Sequence, residues 1–516
     1  MASSLKEQRE GPGAGSLRLV LRHAETQPGA LALEDDEESL TYGELSERVA
    51  AVASGLAAMG VGPGDRVATL LPNSAAFVVA ALGCLWVGAP FIPLSLEDPP
   101  ARVERVLSDC DPKLVIVRGG QPSPSLAPPG VTAGQFVDIA GVLARAGDVP
   151  LMSGDPERDA YMIYTSGTTG APKAVRAPER ALASAALAAA GGFGLDRSTR
   201  SLCVSSFHFD GSYGTVFPTL MTGGSLVIPK REDLLYLRGF FRVLLDDGIT
   251  HTAFPPSYLR LLLSSSKLPA LARSGLKTLG LGGEECLALD VARLWEVLPD
   301  LRVFNRYGPT EATIAVTTYE VSRADVASGR IPIGPPHEGA RFYLVDDHGK
   351  VVEGAGTTAE LCIAGDQLMS GYWGDEPYTS EMLRDDIIPG ETVYKTGDLV
   401  LRDGAGSYFY AGRLDDVVKR NSVRISLTEV ALALRRVEGV TAATCVLTDL
   451  DGRTGIAGFV EAPIDLTEQV LLDAVSEYLP AAMLPDEVFV VPTLPMTTSG
   501  KVDGARLRAE VGRKSP

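Results

Sequence analysis

The chain has 516 residues, 45% of them apolar, with 47 Lys and Arg against 65 Asp and Glu, a formal net charge of −18. That length allows roughly 3 compact units. The acidic balance argues against a nucleic-acid partner, which needs a basic face to displace counterions, and against an anionic membrane surface. No apolar run reaches the roughly 18 to 20 uncharged residues of a membrane span. The polar start (MASSLKEQREGPGAGS) has no apolar core of a signal peptide. The six cysteines are scattered, without a CxxC pair or a His at metal-ligand spacing, as buried thiols of a reducing compartment are. The expected location is the cytoplasm.

Residues 1–16 read as a disordered leader. From Tyr42 to Met59 apolar residues recur at helical spacing, with Thr41 placed to cap the helix and Gly60 to end it. A buried strand is predicted at 65–71, a helix at Phe77–Val87, a strand at Phe91–Leu94, a helix from about Ala101 and a strand at Leu114–Val117. Such alternation predicts a parallel sheet with helices on its faces, an α/β fold. Residues 118–131, rich in Pro, Gly and Ser, read as a surface loop. Strands and helices resume at Tyr161. From about 340 to 412 short β-like runs dominate, and the last hundred residues alternate helix and strand as a small α+β unit does.

The strongest local signal is Thr165-Ser166-Gly167-Thr168-Thr169-Gly170, followed by Ala171, Pro172 and Lys173. Glycines let backbone N–H groups approach an anion, hydroxyls donate to its oxygens, and Lys adds positive charge, so the run suits a loop that wraps phosphates. It is not a Walker A loop, whose glycines stand four residues apart and precede Lys-Ser/Thr. Taken alone, it fits a polar surface turn equally well.

Other runs accompany it in order along the chain: Leu40–Leu45 (LTYGEL), Phe209-Asp210-Gly211-Ser212, Asn305–Glu311 (NRYGPTE), Ala359–Trp373 (AELCIAGDQLMSGYW), Tyr394–Leu399 (YKTGDL), Gly412-Arg413-Leu414-Asp415 and Ser499–Asp503 (SGKVD). Together they resemble the core motifs of the adenylate-forming superfamily, which includes acyl-CoA synthetases, luciferases and the amino-acid-activating units of nonribosomal peptide synthetases. The resemblance implies a large N-terminal domain (17–414) of stacked α/β subdomains plus a β-rich subdomain. It also implies a small mobile α+β C-terminal domain (415–516). ATP and Mg2+ are the implied cofactors. By resemblance, residues 165–170 and Lys173 hold the β- and γ-phosphates, Glu311 binds Mg2+, and Thr310 donates near the α-phosphate. Asp398 accepts the ribose hydroxyls with Arg413 beside it, Tyr307 and Tyr410 flank adenine, and Asn305 reads its amino edge. Gly283 and Gly308 belong to the same nucleotide site. Lys501 is the implied catalytic Lys, carried in and out by rotation about Asp415, and Phe209 the gate for a phosphopantetheine thiol.

Asp210 separates the branches. In amino-acid-activating members the Asp of Phe-Asp-x-Ser pairs the substrate ammonium, which acyl and aryl acid enzymes have no reason to match. The remaining pocket positions carried over are Gly211, Gly214, Ala253, Gly280, Gly282, Arg306, Ile314 and Ala315; so many small residues predict a wide pocket. Arg306 keeps its charge and needs acceptors when buried. It calls for a substrate with a second carboxylate, aspartate-like or a β-amino acid, or else fills space and pairs with Glu284 or Glu285; a large neutral substrate is the third choice. With no carrier segment or condensation signature in the chain, the expected partner is a separate carrier protein, docking on a local basic face such as Lys419-Arg420 or Arg435-Arg436. An acyl- or aryl-CoA ligase is the alternative, and a non-catalytic nucleotide sensor the third reading. Ala174, Asn421, Ser422 and Ala482 depart from the family pattern, and Asn421 and Ser422 fall in the loop that the resemblance places along the pantetheine tunnel, on the thiolation side.

Overall fold

The computed structural model describes residues 15–119, 132–145, 149–151, 155–165, 172–235, 237–414, 417–420, 423–450, 453–462, 466–495 and 502–511. Ser166–Gly170, Asp415, Asn421, Ser422 and Lys501 lie outside the described residues, as do residues 1–14. Ser16, placed in the leader by the sequence, opens the helix Ser16–Thr26. Its N–H and hydroxyl both donate to Glu179 Oε1 at 2.6 Å.

Thr41 caps the helix Tyr42–Ala58 in a reciprocal arrangement. Its hydroxyl accepts from the Glu44 N–H, and the Glu44 carboxylate accepts from the Thr41 N–H, satisfying donors that a helix start leaves unpaired. Ser74 caps the helix Ala75–Val87 in the simpler way. The strands Val67–Thr69, Phe91–Pro93, Leu114–Val117 and Phe136–Asp138 run parallel within a seven-stranded sheet. That sheet continues through Asp159–Thr165 to Lys173–Pro178 and Gly371–Tyr372. The first predicted strand is therefore shorter than 65–71.

A second sheet, of eight strands, has a parallel centre: Thr278–Gly282 lies between His251–Phe254 and Arg302–Arg306. Helices Tyr42–Ala58, Ala75–Val87 and Tyr213–Met221 pack between these sheets around Phe77, Phe91, Phe207, Tyr213 and Phe217, all fully buried or nearly so. The β-rich stretch is a five-stranded antiparallel sheet built on Thr357–Gly365 and Glu391–Arg402, with Tyr408–Arg413 at its side.

Residues beyond 417 make their own small layers. Val417–Arg420 pairs with Val423–Ser426, and Arg453–Glu461 lies between Ala442–Leu450 and Glu487–Val491. Their two apolar clusters draw on residues 418–511 alone. Among the described residues two ion pairs join this part to the rest: Arg102–Glu429 at 3.1 Å and Arg424–Glu311 at 2.6 Å. Among the described residues no helix is long and apolar enough to cross a membrane, and all six cysteines are free and buried.

Candidate active site

Ligands of open α/β sheets bind beyond the carboxyl ends of the parallel strands. Here three such ends bring the predicted residues together. Ala253 pairs with Gly280, and Gly282 with Arg306, across neighbouring parallel strands. Gly283 follows in a left-handed turn (φ +81°). Beyond Arg306 come Tyr307, Gly308 and the short 3-10 turn Thr310–Ala312. A side chain at Gly308 would run into the Ala315 backbone.

Around Asp398 the polar groups are already matched. Its carboxylate, 1% exposed, accepts from Tyr307 OH at 2.6 Å and pairs with Arg413. Arg413 also donates to Thr396 O at 3.2 Å. The Asn305 amide donates to Pro332 O at 2.8 Å. Tyr410, on the strand beside Asp398, is half-exposed. Lys173 is buried under Tyr378, its Nζ 3.4 Å from the ring centre, and pairs with Asp375 at 2.6 Å. The hydrogen bond from Lys173 holds the Asp375 carboxyl below the usual carboxylate range.

Glu311 is 1% exposed. Its Oε1 accepts from Tyr372 OH at 2.9 Å and from Arg424 at 2.6 Å, while Oε2 is buried without a partner among the described residues. Burial alone would raise its pKa, but the Arg424 guanidinium and the hydrogen bonds hold it below the usual range. An ionised buried carboxylate with a free oxygen fits a hard divalent cation.

The surroundings of Asp210 and Arg306 are different. Asp210 begins the 3-10 turn Asp210–Ser212, ahead of the helix Tyr213–Met221. Its Oδ2 is buried without a hydrogen bond among the described residues, and burial pushes its pKa up to about 6 against the pull of the Thr310 hydroxyl. Arg306 is 8% exposed, its Nε buried and unpartnered among the described residues, and burial pushes its pKa down to about 10. The nearby Asp210 charge pulls the other way, raising the Arg306 pKa. Glu284 instead accepts from Ser257 N–H and hydroxyl at 2.8 and 2.9 Å and lies 3.5 Å from Arg260. The pairing of Arg306 with Glu284 is therefore not the arrangement found.

The expectation of a wide pocket is overturned. Both terminal nitrogens of Arg306 lie 2.7 Å from where a Cβ on Gly214 would stand, and Ile314 Cγ2 lies 2.8 Å from it. The Arg306 stem passes Gly282 and Gly280 at 3.1 and 3.3 Å on the same measure, and Phe193 reaches within 2.8 Å at Gly280. These glycines make room for Arg306 and Phe193 rather than for a large ligand. Gly211 has open space beside it. Ile314 and Ala315 are buried, and the Phe209 ring packs at a tilt against His208, their centres 4.0 Å apart.

Several contributors carried no expectation. Thr313 and Ile314 adopt left-handed φ values of 53° and 72°, costly for β-branched residues. Gln367 Nε2 donates to Thr313 O at 3.3 Å and Ala315 O at 2.7 Å, and His337 Nδ1 lies 2.9 Å from Gln367 Oε1. Gln367 and Tyr372 stand inside the run Ala359–Trp373, whose residues carried no individual role. Arg424 lies a few residues beyond Asp415, in the run whose Asn421 and Ser422 departed from pattern. Arg420 is turned onto Asp486 and Leu484 O, so it does not present a free basic face. Ala174 is 1% exposed within an apolar cluster with Met162, and its carbonyl accepts from Trp373 N–H at 2.9 Å.

A buried carboxylate suited to a divalent cation, just beyond the end of the parallel strand Arg302–Arg306, suits an α/β enzyme. The chain belongs to the AMP-binding enzyme family, whose model matches residues 20–373, so the resemblance carried by the sequence motifs is borne out. It is 34% identical over 97% of its length to the AMB antimetabolite synthetase AmbB of Pseudomonas aeruginosa, spanning 40% of that protein. It is 31% identical over 93% of its length to tyrocidine synthase 2 of Brevibacillus parabrevis, spanning 13% of it. The chain thus matches less than half the length of these curated relatives. A solved nonribosomal peptide synthetase protein containing adenylation and PCP domains shares the fold. Its TM-score is 0.85 at 24% identity, covering 96% of this chain and 84% of that one.

Proposed function

We propose that the protein adenylates an amino acid with ATP and passes the aminoacyl group to the phosphopantetheine thiol of a separate carrier protein. The observation that supports an amino acid is Asp210: a carboxylate with a buried oxygen that has no partner among the described residues. Such a group is costly to leave unmatched, and a substrate ammonium meets its need. Arg306, buried and without an ion pair among the described residues, asks for a second anionic group. With Gly214 and Gly280 overlain by Arg306 and Phe193, the remaining space suits a short acidic side chain, aspartate-like or β-amino.

In the first step a carboxylate oxygen of the amino acid attacks the α-phosphorus, the bond to the bridging oxygen breaks, and pyrophosphate leaves. Two anions must meet, so the chain acts by positioning and by neutralising charge. Thr165, the residues 166–170 and Lys173 would hold the outer phosphates, Lys173 exchanging Asp375 for them. Glu311 would hold Mg2+, which neutralises charge on the phosphate oxygens when bound. Asp398 and Arg413 would take the ribose, Tyr307, Tyr410, Asn305, Gly283 and Gly308 the base, and Thr310 the α-phosphate. Lys501 would bridge the attacking carboxylate and the α-phosphate. In the second step the carrier thiolate attacks the acyl carbon and AMP leaves, with Phe209 as gate and 415–516 turning about Asp415 against 17–414.

Lys501→Ala tests the assignment. It should slow adenylation by about 10²–10³-fold, as loss of a fixed transition-state charge does, yet spare thioester formation from a pre-made adenylate. Pyrophosphate exchange at the wild-type rate would remove Lys501 from the mechanism. A CoA ligase, the competing reading, would release AMP with CoA and need no carrier.

A further inference from the structure

The carboxylate that fits a cation is already partnered by a cation of the chain's own. Arg424, on the strand Val423–Ser426, crosses from the C-terminal part of the molecule and meets Glu311 Oε1 at 2.6 Å. The pair is largely shielded from bulk water: Arg424 is 17% exposed and Glu311 1%. A guanidinium at that distance neutralises the carboxylate and fixes its orientation, and the second oxygen of Glu311 is left with no donor among the described residues. A half-satisfied buried carboxylate is ready to exchange one cation for a better one.

We infer that Arg424 is a positioning residue that stands in for the divalent cation at Glu311, so that its ion pair and the bound metal exclude each other. This rests on the reading of Glu311 as the cation ligand and goes beyond it. The exclusion is one of charge. Two cations on one buried carboxylate, the metal and a guanidinium, repel in a medium that screens poorly. When metal and nucleotide arrive, Arg424 leaves, and this contact between the C-terminal part and the site is lost. When pyrophosphate carries the metal away, Arg424 returns and keeps Glu311 ionised and oriented for the next turn. By linkage, whatever factor Arg424 takes from metal binding, the metal takes from the Arg424 contact.

The second ion pair supplies the internal control. Glu429, in the helix Leu427–Leu434, pairs with Arg102 at 3.1 Å. Arg102 also lies 3.5 Å from Asp98. That pair joins the same two parts of the chain but touches no residue assigned to the metal.

The test uses the full-length chain without amino acid, so that no turnover occurs. Hydrogen exchange of residues 423–434 is followed with no ligand, with ATP plus EDTA, and with ATP and rising Mg2+. In the wild type, Mg2+ with ATP should speed exchange in this segment, while ATP with EDTA should not. In Arg424→Gln, exchange should start fast and change little, and half-saturation by Mg2+ at fixed ATP, followed in every variant by the Mg2+-dependent rise in unfolding temperature, should fall by about ten-fold, within the usual range of coupling between sites. Arg424→Lys, keeping the charge, should fall between the two. Arg102→Gln should raise the basal exchange and keep the Mg2+ response. If Arg424→Gln needs the same Mg2+ as the wild type, or more, Arg424 is a phosphate contact or a structural tie and the inference is overturned. Glu311→Gln separates that outcome from failure of the underlying reading: it should raise the Mg2+ requirement, and if it leaves it unchanged, Glu311 is not the ligand and both statements fall.

Discussion

The two halves of the site meet their polar demands in opposite ways. On the nucleotide side Asp398 is held by Tyr307 and Arg413, and Asn305 by Pro332 O, with no ligand needed. In the substrate pocket Asp210 Oδ2 and Arg306 Nε are both buried with no partner among the described residues. A ribose and base common to the whole family can be received by donors and acceptors set beforehand, which need no reorganisation, whereas Glu311 Oε2 is left for the cation. Discrimination among amino acids needs the reverse. A pocket that leaves charges unmatched penalises every ligand that fails to match them.

The largest effect should come from Asp210. Asp210→Ala should lower kcat/KM for the true substrate by roughly 10²–10³-fold or more, the loss on breaking a buried ion pair, while the KM for ATP holds. The same carboxyl sets a pH dependence. With its pKa at about 6, Asp210 carries a proton at lower pH and cannot meet an ammonium, so amino-acid affinity should rise as pH rises through about 6. The sign for stability is opposite. A carboxyl whose folded pKa lies above its unfolded value stabilises the ligand-free fold at low pH, and that contribution is lost as pH rises through about 6. Pyrophosphate exchange and thermal unfolding over the same pH series read the two trends.

Arg306 comes next. Arg306→Ala should raise KM for a dicarboxylic amino acid by roughly 30-fold or more, with kcat falling far less, because the contact is made in ground and transition states alike. Selection should relax towards neutral side chains. Gly214→Ala probes the same geometry without touching a charge: its Cβ would lie 2.7 Å from both terminal nitrogens, so the guanidinium must move and acidic selectivity should drop with the fold intact. If both variants keep the wild-type substrate order, Arg306 is packing alone.

The smallest effect belongs to the pre-paired side. Tyr307→Phe removes one donor to Asp398 but leaves Arg413 in place, so the KM for ATP should rise only about ten-fold, the lower end of the worth of one hydrogen bond to a charged group. A loss as large as that of Asp210→Ala would erase the contrast between the two halves.

Much of this was legible in the residues. Thr41 and Gly60 mark the ends of one helix, because capping and chain reversal are local demands. The motif runs place Asp210, Glu311 and Asp398, because chemistry confines their neighbours. What the chain order hid is packing between distant segments. Nothing local says that Phe193 fills the space at Gly280, that Gln367 braces the strained Thr313 and Ile314, or that Arg424 reaches a carboxylate 113 residues away. Nor does chain order show that Gly214, Gly280 and Gly282 make room for Arg306 and Phe193, so that their small size reads as empty volume.

The unpartnered oxygen of Asp210 is the feature that should select an amino acid. The most direct test is substrate-dependent pyrophosphate exchange by the wild-type chain, comparing the best amino acid from an α- and β-amino panel, dicarboxylic members included, with its des-amino analogue. Exchange should occur with the amino acid, and kcat/KM for the analogue should be lower by roughly 10²-fold or more. Equal turnover of the two would contradict this and make the protein an acyl ligase.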